Sequence, residues 1–273
     1  IAYNGAQTGY TVDPQEVINY VDKHDNQTLF DISAYKAPTG TTMAERVRMQ
    51  AVAMSLVVLG QGVPFLHMGM DLLRSKSMER DSYDSGDWFN RVDWSGQTNN
   101  WDVGLPRADK DQGNWEVIGQ IIGDPAIAPT AADMAASAAA LRQLLTMRAS
   151  TPLFRLRTAA EVQRRVYQRN VGPNQNPGVL FFTVSDATCA GDDLDPGLDG
   201  VVIFVNARRE PAEFVLDGAS EWVPHPVIAS SGDSLASGAS FDGATFHVPA
   251  LSTAVFVRPQ GEARADEPGC NPL

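Results

Sequence analysis

The side chains best suited to chemistry lie in one short run, Lys23-His24-Asp25-Asn26. The run follows residues 17–21, a short β-branched segment whose pattern predicts a buried strand. In barrels built from strand–helix–strand units, the carboxyl ends of the strands carry the functional side chains. An adjacent histidine and aspartate are weak evidence alone, because a solvated strand end with a hydrogen-bonded histidine has the same pattern. The run is therefore the first candidate site, with a purely structural role left open.

The segment 81–90 is a second candidate, because it mixes carboxylates with flat aromatic rings. Asp81, Asp84 and Asp87 recur at a spacing of three around Tyr83 and Trp88. Aromatic faces stack on sugar rings and carboxylates accept hydrogen bonds from sugar hydroxyls, so this composition favours a carbohydrate contact. The same oxygen-rich residues are also typical of calcium loops, although the EF-hand spacing is absent. Both interpretations stay open at this point.

Composition and charge exclude several classes of protein. The 273 residues are 43% apolar and carry a formal net charge of -12, so the field as a whole repels a phosphate backbone and nucleic-acid binding is disfavoured. The sequence has no run of about 20 apolar residues that would span a membrane. Residues 1–10 lack the pattern of a signal peptide. Because the first residue is not Met, we expect a piece of a longer protein.

Helices and strands alternate before residue 152. The run Thr42-Met43-Ala44-Glu45 has the spacing of a capping box. The helix that follows has an apolar stripe formed by Val47, Ala51, Met54 and Val58. Residues 65–69 are predicted to be a second buried strand, which completes the strand–helix–strand unit of a doubly wound sheet or a (β/α)8 barrel. A further helix is predicted over 131–148, with a buried face formed by Met134, Ala138, Leu141 and Leu145.

After Pro152 the pattern changes to short apolar or alternating runs separated by Gly, Pro, Asn and Asp. The runs cover residues 162–169, 179–184, 201–205, 213–216, 245–248 and 253–257. Such spacing predicts an antiparallel β-sandwich. The fold class expected from the pattern is therefore α/β plus all-β.

Several long motifs carry a resemblance to a known family. The run Tyr20-Val21-Asp22-Lys23-His24-Asp25-Asn26-Gln27-Thr28-Leu29 resembles the fourth signature segment of the α-amylase superfamily, in the form used by bacterial pullulanases. Gly60-Gln61-Gly62, Leu72-Leu73-Arg74-Ser75-Lys76-Ser77 and the segment 80–93 are similar to the same enzymes. The resemblance extends from about residue 3 to about residue 261. It matches only the carboxyl-terminal part of such an enzyme.

The resemblance implies a fold and a setting. Residues 1–150 would be the carboxyl-terminal part of the catalytic (β/α)8 TIM barrel, residues 151–260 a β-sandwich domain, and residues 261–273 a tail. The preceding barrel portion of the same enzyme would be a partner of this chain. The implied localisation is secreted or at the bacterial cell surface, without a membrane-spanning segment.

The resemblance also implies an activity and roles for particular residues. Bacterial pullulanases hydrolyse α-1,6-glucosidic links of branched α-glucans, namely pullulan, starch and glycogen limit dextrins, by a retaining double displacement. Asp25 would stabilise the transition state by holding ring hydroxyls, with His24 beside it, while Asn26, Asp81 and Tyr83 would contact the glucan. No segment resembles the nucleophile or the acid/base, so we expect the chain alone to be inactive. The chemistry requires no cofactor, and a structural Ca²⁺ stays open.

Two other functions compete with this interpretation. One is a non-catalytic glucan-binding module, in which the β-sandwich alone would bind starch. The other is a different member of the superfamily, such as an isoamylase or an amylase. The segment 82–90 favours the pullulanase type.

The sequence holds two cysteines, Cys189 and Cys270, in no zinc-binding spacing. The residues alone leave open one disulfide or two free thiols. Because a starch-degrading enzyme of this family works outside the cell, where disulfides persist, we predict that the two cysteines pair.

Overall fold

The computed structural model describes residues 2–7, 11–216, 221–230 and 238–264. In this part of the chain the helices are α1 Leu29–Lys36, α2 Met43–Val58, α3 Asp87–Asn90, α4 Ala108–Asp111, α5 Trp115–Ile122, α6 Ala131–Ser150, α7 Ala159–Arg165 and α8 Pro226–Ser230. The strands are β1 Ala2–Tyr3, β2 Ala6–Gln7, β3 Ile18–Asn19, β4 Val63–Pro64, β5 Val166–Gln168, β6 Val179–Ser185, β7 Leu198–Asn206, β8 Ala212–Val215, β9 Val223–Pro224, β10 Ser240–Phe241, β11 Thr245–Val248 and β12 Ser252–Pro259. The fold is thus a mixture of helices and mainly antiparallel sheets.

Helix α2 begins at the predicted capping box. The Glu45 amide donates to Thr42 Oγ1 at 3.3 Å, and the Thr42 amide donates to Glu45 Oε2 at 2.8 Å. These two bonds satisfy backbone donors that have no partner inside the helix. Of the predicted stripe, Ala51, Met54 and Val58 are buried. The predicted helix and its core-facing side are confirmed.

Helix α6 is also present, but its buried face differs from the prediction. Met134 and Ala138 are buried as expected, whereas Leu145 is 39% exposed and Leu144 is fully buried. The prediction for Leu145 is wrong. The buried face of the helix runs through Leu144 and Met147, and Leu145 lies outside it.

The first two predicted strands are shorter than expected, and one lies earlier in the chain. Strands β3 and β4 pair in parallel, with Ile18 opposite Val63 and Asn19 opposite Pro64. The prediction of a strand over 65–69 is wrong. The ladder covers only Val63–Pro64, and residues 67–70 close a turn instead, in which the Met70 amide donates to the His67 carbonyl at 3.1 Å and Gly69 has a φ of 83°. The parallel pair nevertheless brings residues 20–26 and 65–68 to the same edge.

Two antiparallel sheets form the second half of the chain. One has the order β5-β6-β7-β12-β9 and the other the order β10-β11-β8. Phe181 of β6 stacks on Phe214 of β8 at 4.0 Å between ring centroids and meets Phe246 of β11 edge-on at 5.2 Å. These rings join the two sheets through a shared apolar core. The antiparallel character expected after residue 152 is confirmed.

One predicted strand, residues 162–169, is helical over its first half. Helix α7 covers its first part, and only Val166–Gln168 pairs with β6. The reason is another capping box, in which Thr158 and Glu161 satisfy each other's backbone donors at the start of α7. This local signal outweighs the β-branched composition of the segment.

Helix α2 packs directly on the larger sheet. Ser55 Oγ lies 2.7 Å from Thr253 Oγ1 of strand β12, and the buried apolar side chains of α2 and α6 continue into those of the sheet. Among the described residues, none of the helices is both long and apolar enough to cross a lipid bilayer.

Arg148 of α6 binds three carbonyl groups of one backbone segment, residues 58–62. It is nearly buried, and its guanidinium donates to the carbonyls of Val58, Gly60 and Gly62 at 2.7–2.8 Å. A planar guanidinium offers several fixed donors, which suits it to a cluster of carbonyls. Arg148 therefore closes the carboxyl-terminal end of α2 and the turn that leads into β4.

Cys189 lies in a short 3₁₀ helix, Thr188–Ala190, that follows β6. Its sulfur atom takes part in a disulfide bond. Cys270, its predicted partner, lies outside the described residues, so the pairing itself stays a prediction.

We expect Arg148→Met to lower the free energy of unfolding by about 3 kcal/mol, because the change leaves three carbonyls without their donor. The matched control is Arg142→Met, a change in the same helix at an exposed arginine, which should alter stability by no more than about 0.5 kcal/mol. Guanidinium unfolding followed by circular dichroism measures both. Equal stabilities for the two variants would show that Arg148 does not hold the turn.

Thiol titration of the denatured, unreduced protein tests the predicted disulfide. We expect no reactive thiol before reduction and both cysteines to react after reduction. Closing a loop of this length stabilises by up to about 4 kcal/mol in the entropic model, from which any strain subtracts. Two reactive thiols in the unreduced protein would refute the pairing of Cys189 with Cys270.

Candidate functional site

The loop that carries the first candidate residues is anchored at its start by a buried pair. Asp22 is buried, and its Oδ1 lies 3.2 Å from Nδ1 of His67. The two residues follow β3 and β4 respectively, so their contact ties together the chain segments that leave the parallel pair. His67 is a hydrogen-bonded, largely buried histidine, as its apolar neighbours in the sequence indicate.

Asp25 and His24 stand out from this anchor into solvent. The side chain of His24 is 84% exposed and that of Asp25 is 60% exposed, and the two approach within 3.5 Å. Lys23 Nζ donates to Asp25 Oδ2 at 2.8 Å. This hydrogen bond and the charge of Lys23 hold the pKa of Asp25 below its ordinary value. Asp25 is therefore an ionised, accessible acceptor.

Three of the predicted residues line one open cleft of about 480 Å³. Asp25 and Asn26 line it together with Arg80, Asp81 and Lys110. Asn26 adopts a φ of 60°, a left-handed conformation that asparagine tolerates better than most residues. The structure thus brings together residues from two distant segments that the sequence pointed to separately.

Tyr83 lies next to this cleft and is 80% exposed. Lys110 Nζ is 3.4 Å from the Tyr83 hydroxyl and 4.4 Å from the ring centroid. A cation this close to the ring face orients the ring without covering its outer side. Tyr83 therefore presents a flat, accessible face to any molecule that enters from solvent.

Lys110 is the residue at this site that sequence reasoning missed. Its Nζ lies 2.8 Å from Asp81 Oδ2 and 3.2 Å from Asp84 Oδ1. The hydrogen bond to Asp81, followed by that to Asp84, raises the pKa of Lys110 well above its usual range. No spacing in the sequence could have revealed it, because Lys110 follows Tyr83 by 27 residues and reaches back through the fold.

Cations also contact the carboxylates of the segment 81–90, for which the sequence left a calcium loop open. Asp81 and Asp84 face Lys110, and Arg107 Nη1 is 3.4 Å from Asp84 Oδ2. Their charge is thus largely compensated by side-chain cations. Among the residues that the structure describes, no group of three or more His, Cys, Asp or Glu side chains could hold a metal ion.

A buried glutamate shapes the turn that carries Asp81 and Tyr83. Glu79 is fully buried, and its carboxylate accepts hydrogen bonds from the Asp81 amide, the Ser85 hydroxyl and the Arg107 amide at 2.8, 3.2 and 3.3 Å. Three donors on one carboxylate fix the turn from inside. The exposed side chains of the turn are therefore displayed by a rigid backbone.

A steric constraint explains the glycine at position 86. Gly86 has a φ of 115°, and a Cβ there would lie 2.5 Å from the nearest ring atom of Trp88. Only glycine allows the Trp88 indole to fold over the backbone at this point. We interpret Asp87 and Trp88 as parts of the loop scaffold.

The segment 75–78 contacts the loop that carries Asp25 and is held by Asp31 of α1. Asp31 is fully buried, and it accepts hydrogen bonds from Ser75 Oγ at 2.6 Å, the Lys76 amide at 2.8 Å and the Met78 amide at 3.3 Å. Burial raises the pKa of Asp31 to about 6, against the opposing effect of these donors. Residues 77 and 78 have positive φ values of 51° and 66°, so the carboxylate holds a strained turn.

Comparisons with known proteins agree with this picture. The family model described as alpha-1,6-glucosidases, pullulanase-type, C-terminal matches residues 96–259. The pullulanase of Klebsiella pneumoniae is 47% identical over 97% of this chain and 24% of that protein. Pullulanase 1, chloroplastic, of Arabidopsis thaliana is 40% identical over 94% of this chain and 27% of that protein.

A solved structure is similar over the same range. The crystal structure of Klebsiella pneumoniae pullulanase complexed with maltotriose has a TM-score of 0.91 and 44% identity, over 97% of this chain and 25% of that chain. The present chain thus spans about a quarter of the length of the relatives that it matches. Because the family model covers more than half of its residues, the chain belongs to the C-terminal family of pullulanase-type α-1,6-glucosidases.

Proposed function

We propose that this chain supplies the transition-state-stabilising aspartate and the glucan contacts of a pullulanase-type glycoside hydrolase. The substrates would be pullulan and branched starch, cleaved at α-1,6-glucosidic links with retention. The observation that carries this proposal is the convergence of Asp25, Asn26 and Asp81 in one open cleft beside Tyr83. The family membership of the chain supports the choice of substrate class.

The chemistry assigns each residue a separate task. A retaining mechanism passes through an oxocarbenium-like transition state, in which the sugar ring flattens. Asp25, kept ionised by Lys23, accepts hydrogen bonds from ring hydroxyls that tighten as the ring flattens, and His24 binds the same ring. Only interactions that strengthen in the transition state raise kcat. Asn26, Asp81 and the face of Tyr83 hold the neighbouring sugars.

The nucleophile and the acid/base lie outside this chain in our proposal. A double displacement requires two carboxyl groups about 5–5.5 Å apart across the scissile bond. The remaining three-quarters of a pullulanase would supply them, so the chain alone is expected to be inactive. No cofactor takes part in these steps.

The architecture that fits this function is the end of a (β/α)8 barrel followed by a β-sandwich. The parallel pair β3 and β4 with the intervening helices would be the last strand–helix units of the barrel, within residues 1–150. The two antiparallel sheets would form the sandwich domain, residues 151–260. The candidate site would then lie at the carboxyl ends of barrel strands, where such enzymes assemble their sites.

The partner of this chain would be the preceding barrel portion of the same enzyme. The strand pair exposes large apolar side chains, and Tyr20 meets Phe65 edge-on at 6.4 Å between centroids. The exposed set consists of Ile18, Tyr20, Val63, Phe65 and Met68. Clustered exposed apolar residues mark an interface, and a barrel of eight strands offers partners on both sides of the pair.

A secreted or cell-surface location belongs to the same proposal. Its support is the disulfide-bonded state of Cys189, since disulfides form and persist in oxidising compartments.

Asp25→Asn tests the assignment in a chimera in which this chain replaces the matching segment of the Klebsiella pneumoniae pullulanase. We expect kcat on pullulan to fall about a hundredfold with a much smaller change in KM, because the lost hydrogen bonds act mainly in the transition state. The control is Asp102→Asn, the same change at an exposed aspartate outside the cleft. A variant at position 25 with near-full kcat would contradict the role of Asp25.

The same chimera separates the rival functions. Release of maltotriose from pullulan, without cleavage of linear amylose, supports the pullulanase type. Cleavage of amylose instead would favour an amylase-type relative. Binding of the isolated chain to a starch matrix, together with an inactive chimera, would favour a glucan-binding module.

Phe65→Asp tests the docking surface. We mix this chain with the remaining portion of the Klebsiella pneumoniae pullulanase, expressed separately, and measure the complex by size-exclusion chromatography. An unpaired charge in an apolar interface should weaken binding at least about tenfold. Val171→Asp, at an exposed valine in the second half of the chain, should leave binding unchanged. Equal binding by both variants would place the partner on another face.

A further inference from the structure

Lys76 is a fully buried lysine that none of the roles described above uses. Its side chain is 1% exposed, and burial lowers the pKa of its ammonium group. Buried lysines are rare because the ammonium group loses its hydration. Several charged groups surround it at longer range, namely Asp31, Arg74, Asp22 and Glu79. An ammonium group buried at this position does not contribute to the solubility of the surface, so it must serve another purpose.

The contacts of Lys76 connect helix α1 with the loop that carries Asp25. Its backbone amide donates to Asp31 Oδ2 at 2.8 Å, while its Nζ donates to the carbonyl of His24 at 2.8 Å. The Asp31 carboxylate thus fixes the backbone end of the side chain, and the ammonium fixes the other end. The His24 carbonyl belongs to the peptide group that joins His24 to Asp25.

We propose that Lys76 is a positioning residue, whose ammonium holds the His24–Asp25 peptide so that both side chains stand in the cleft. The inference rests on the proposed function, because it concerns the orientation of Asp25 toward the sugar ring. Asp25 and His24 are highly exposed, so few packing contacts of their own fix them. A hydrogen bond to the intervening peptide therefore sets the direction of both side chains at once. Hydrogen bonds from buried neighbours of this kind keep the geometry of catalytic side chains within a fraction of an ångström.

The first experiment uses the unaltered chain and requires no activity. In protein labelled with ¹⁵N and ¹³C, the Nζ protons of Lys76 should exchange slowly with water, and the Lys76 Nζ should show a coupling across the hydrogen bond to the His24 carbonyl carbon. Lys36, an exposed lysine of α1, should show fast exchange and no such coupling. If Lys76 behaved like Lys36, the proposed link would not exist in solution.

The second experiment compares Lys76→Met with Lys36→Met in the pullulanase chimera. Met keeps the unbranched apolar stem of lysine but removes the ammonium donor. We expect kcat of the position-76 variant to fall at least about tenfold while KM stays within about twofold, and Lys36→Met to match the unaltered chimera. Lys76→Arg, which restores a cationic donor, should recover part of the lost kcat. A merely structural role predicts instead a smaller folded fraction with unchanged kcat per folded molecule, which would overturn the proposal.

The two experiments keep the failure of each hypothesis apart. An inactive unaltered chimera would refute the proposed function, and the Nζ measurement then decides on the Lys76–His24 link by itself. An active chimera whose Lys76→Met variant keeps normal kcat would refute only the positioning role. If Lys76→Met did not fold, the kcat of the folded Lys76→Arg variant and the Nζ measurement would decide.

Discussion

The buried carboxylate of Asp31 is the interaction on which the geometry of the cleft depends. It accepts three hydrogen bonds from the segment 75–78, and this segment carries the ammonium that reaches the His24 carbonyl. A carboxylate without water is costly unless its oxygens are satisfied, so the segment and helix α1 must form together. The same donors hold a turn with two consecutive residues at positive φ. Loss of the Asp31 hydrogen bonds would therefore release both the turn at 75–78 and the loop that carries Asp25.

Local rules in the sequence predict those elements whose ends are set by neighbouring residues. The capping box at Thr42 and the β-branched runs after residue 178 give α2 and the central strands with nearly correct bounds. The strand predicted over 65–69 is absent because residues 67–70 close a turn, which the apolar composition of the segment does not reveal. Helix α1 was not predicted, although Thr28 and Asp31 have capping-box spacing. The Asp31 side chain also binds the 75–78 segment, a contact that only the folded chain shows.

The candidate site could be predicted in part from its residue types. Asp25, Asn26 and Asp81 meet in one cleft, yet the resemblance, rather than composition, assigned their roles. Lys110 and Lys76 were not foreseen, because a lysine far along the chain gives no sign of which carboxylate or carbonyl it will face. The partner of a charged side chain depends on where the fold places both residues. Although the chain as a whole is acidic, the local field in the cleft depends more on the cations there than on the net charge.

A crystal structure of the pullulanase chimera soaked with maltotriose tests the central claim most directly. The account predicts one sugar ring with its hydroxyls within about 3 Å of the Asp25 carboxylate and a His24 ring nitrogen, a hydrogen-bonding distance. It also predicts that the Tyr83 face lies along the next sugar. A maltotriose bound elsewhere, with the Asp25 carboxylate facing open solvent, would contradict it.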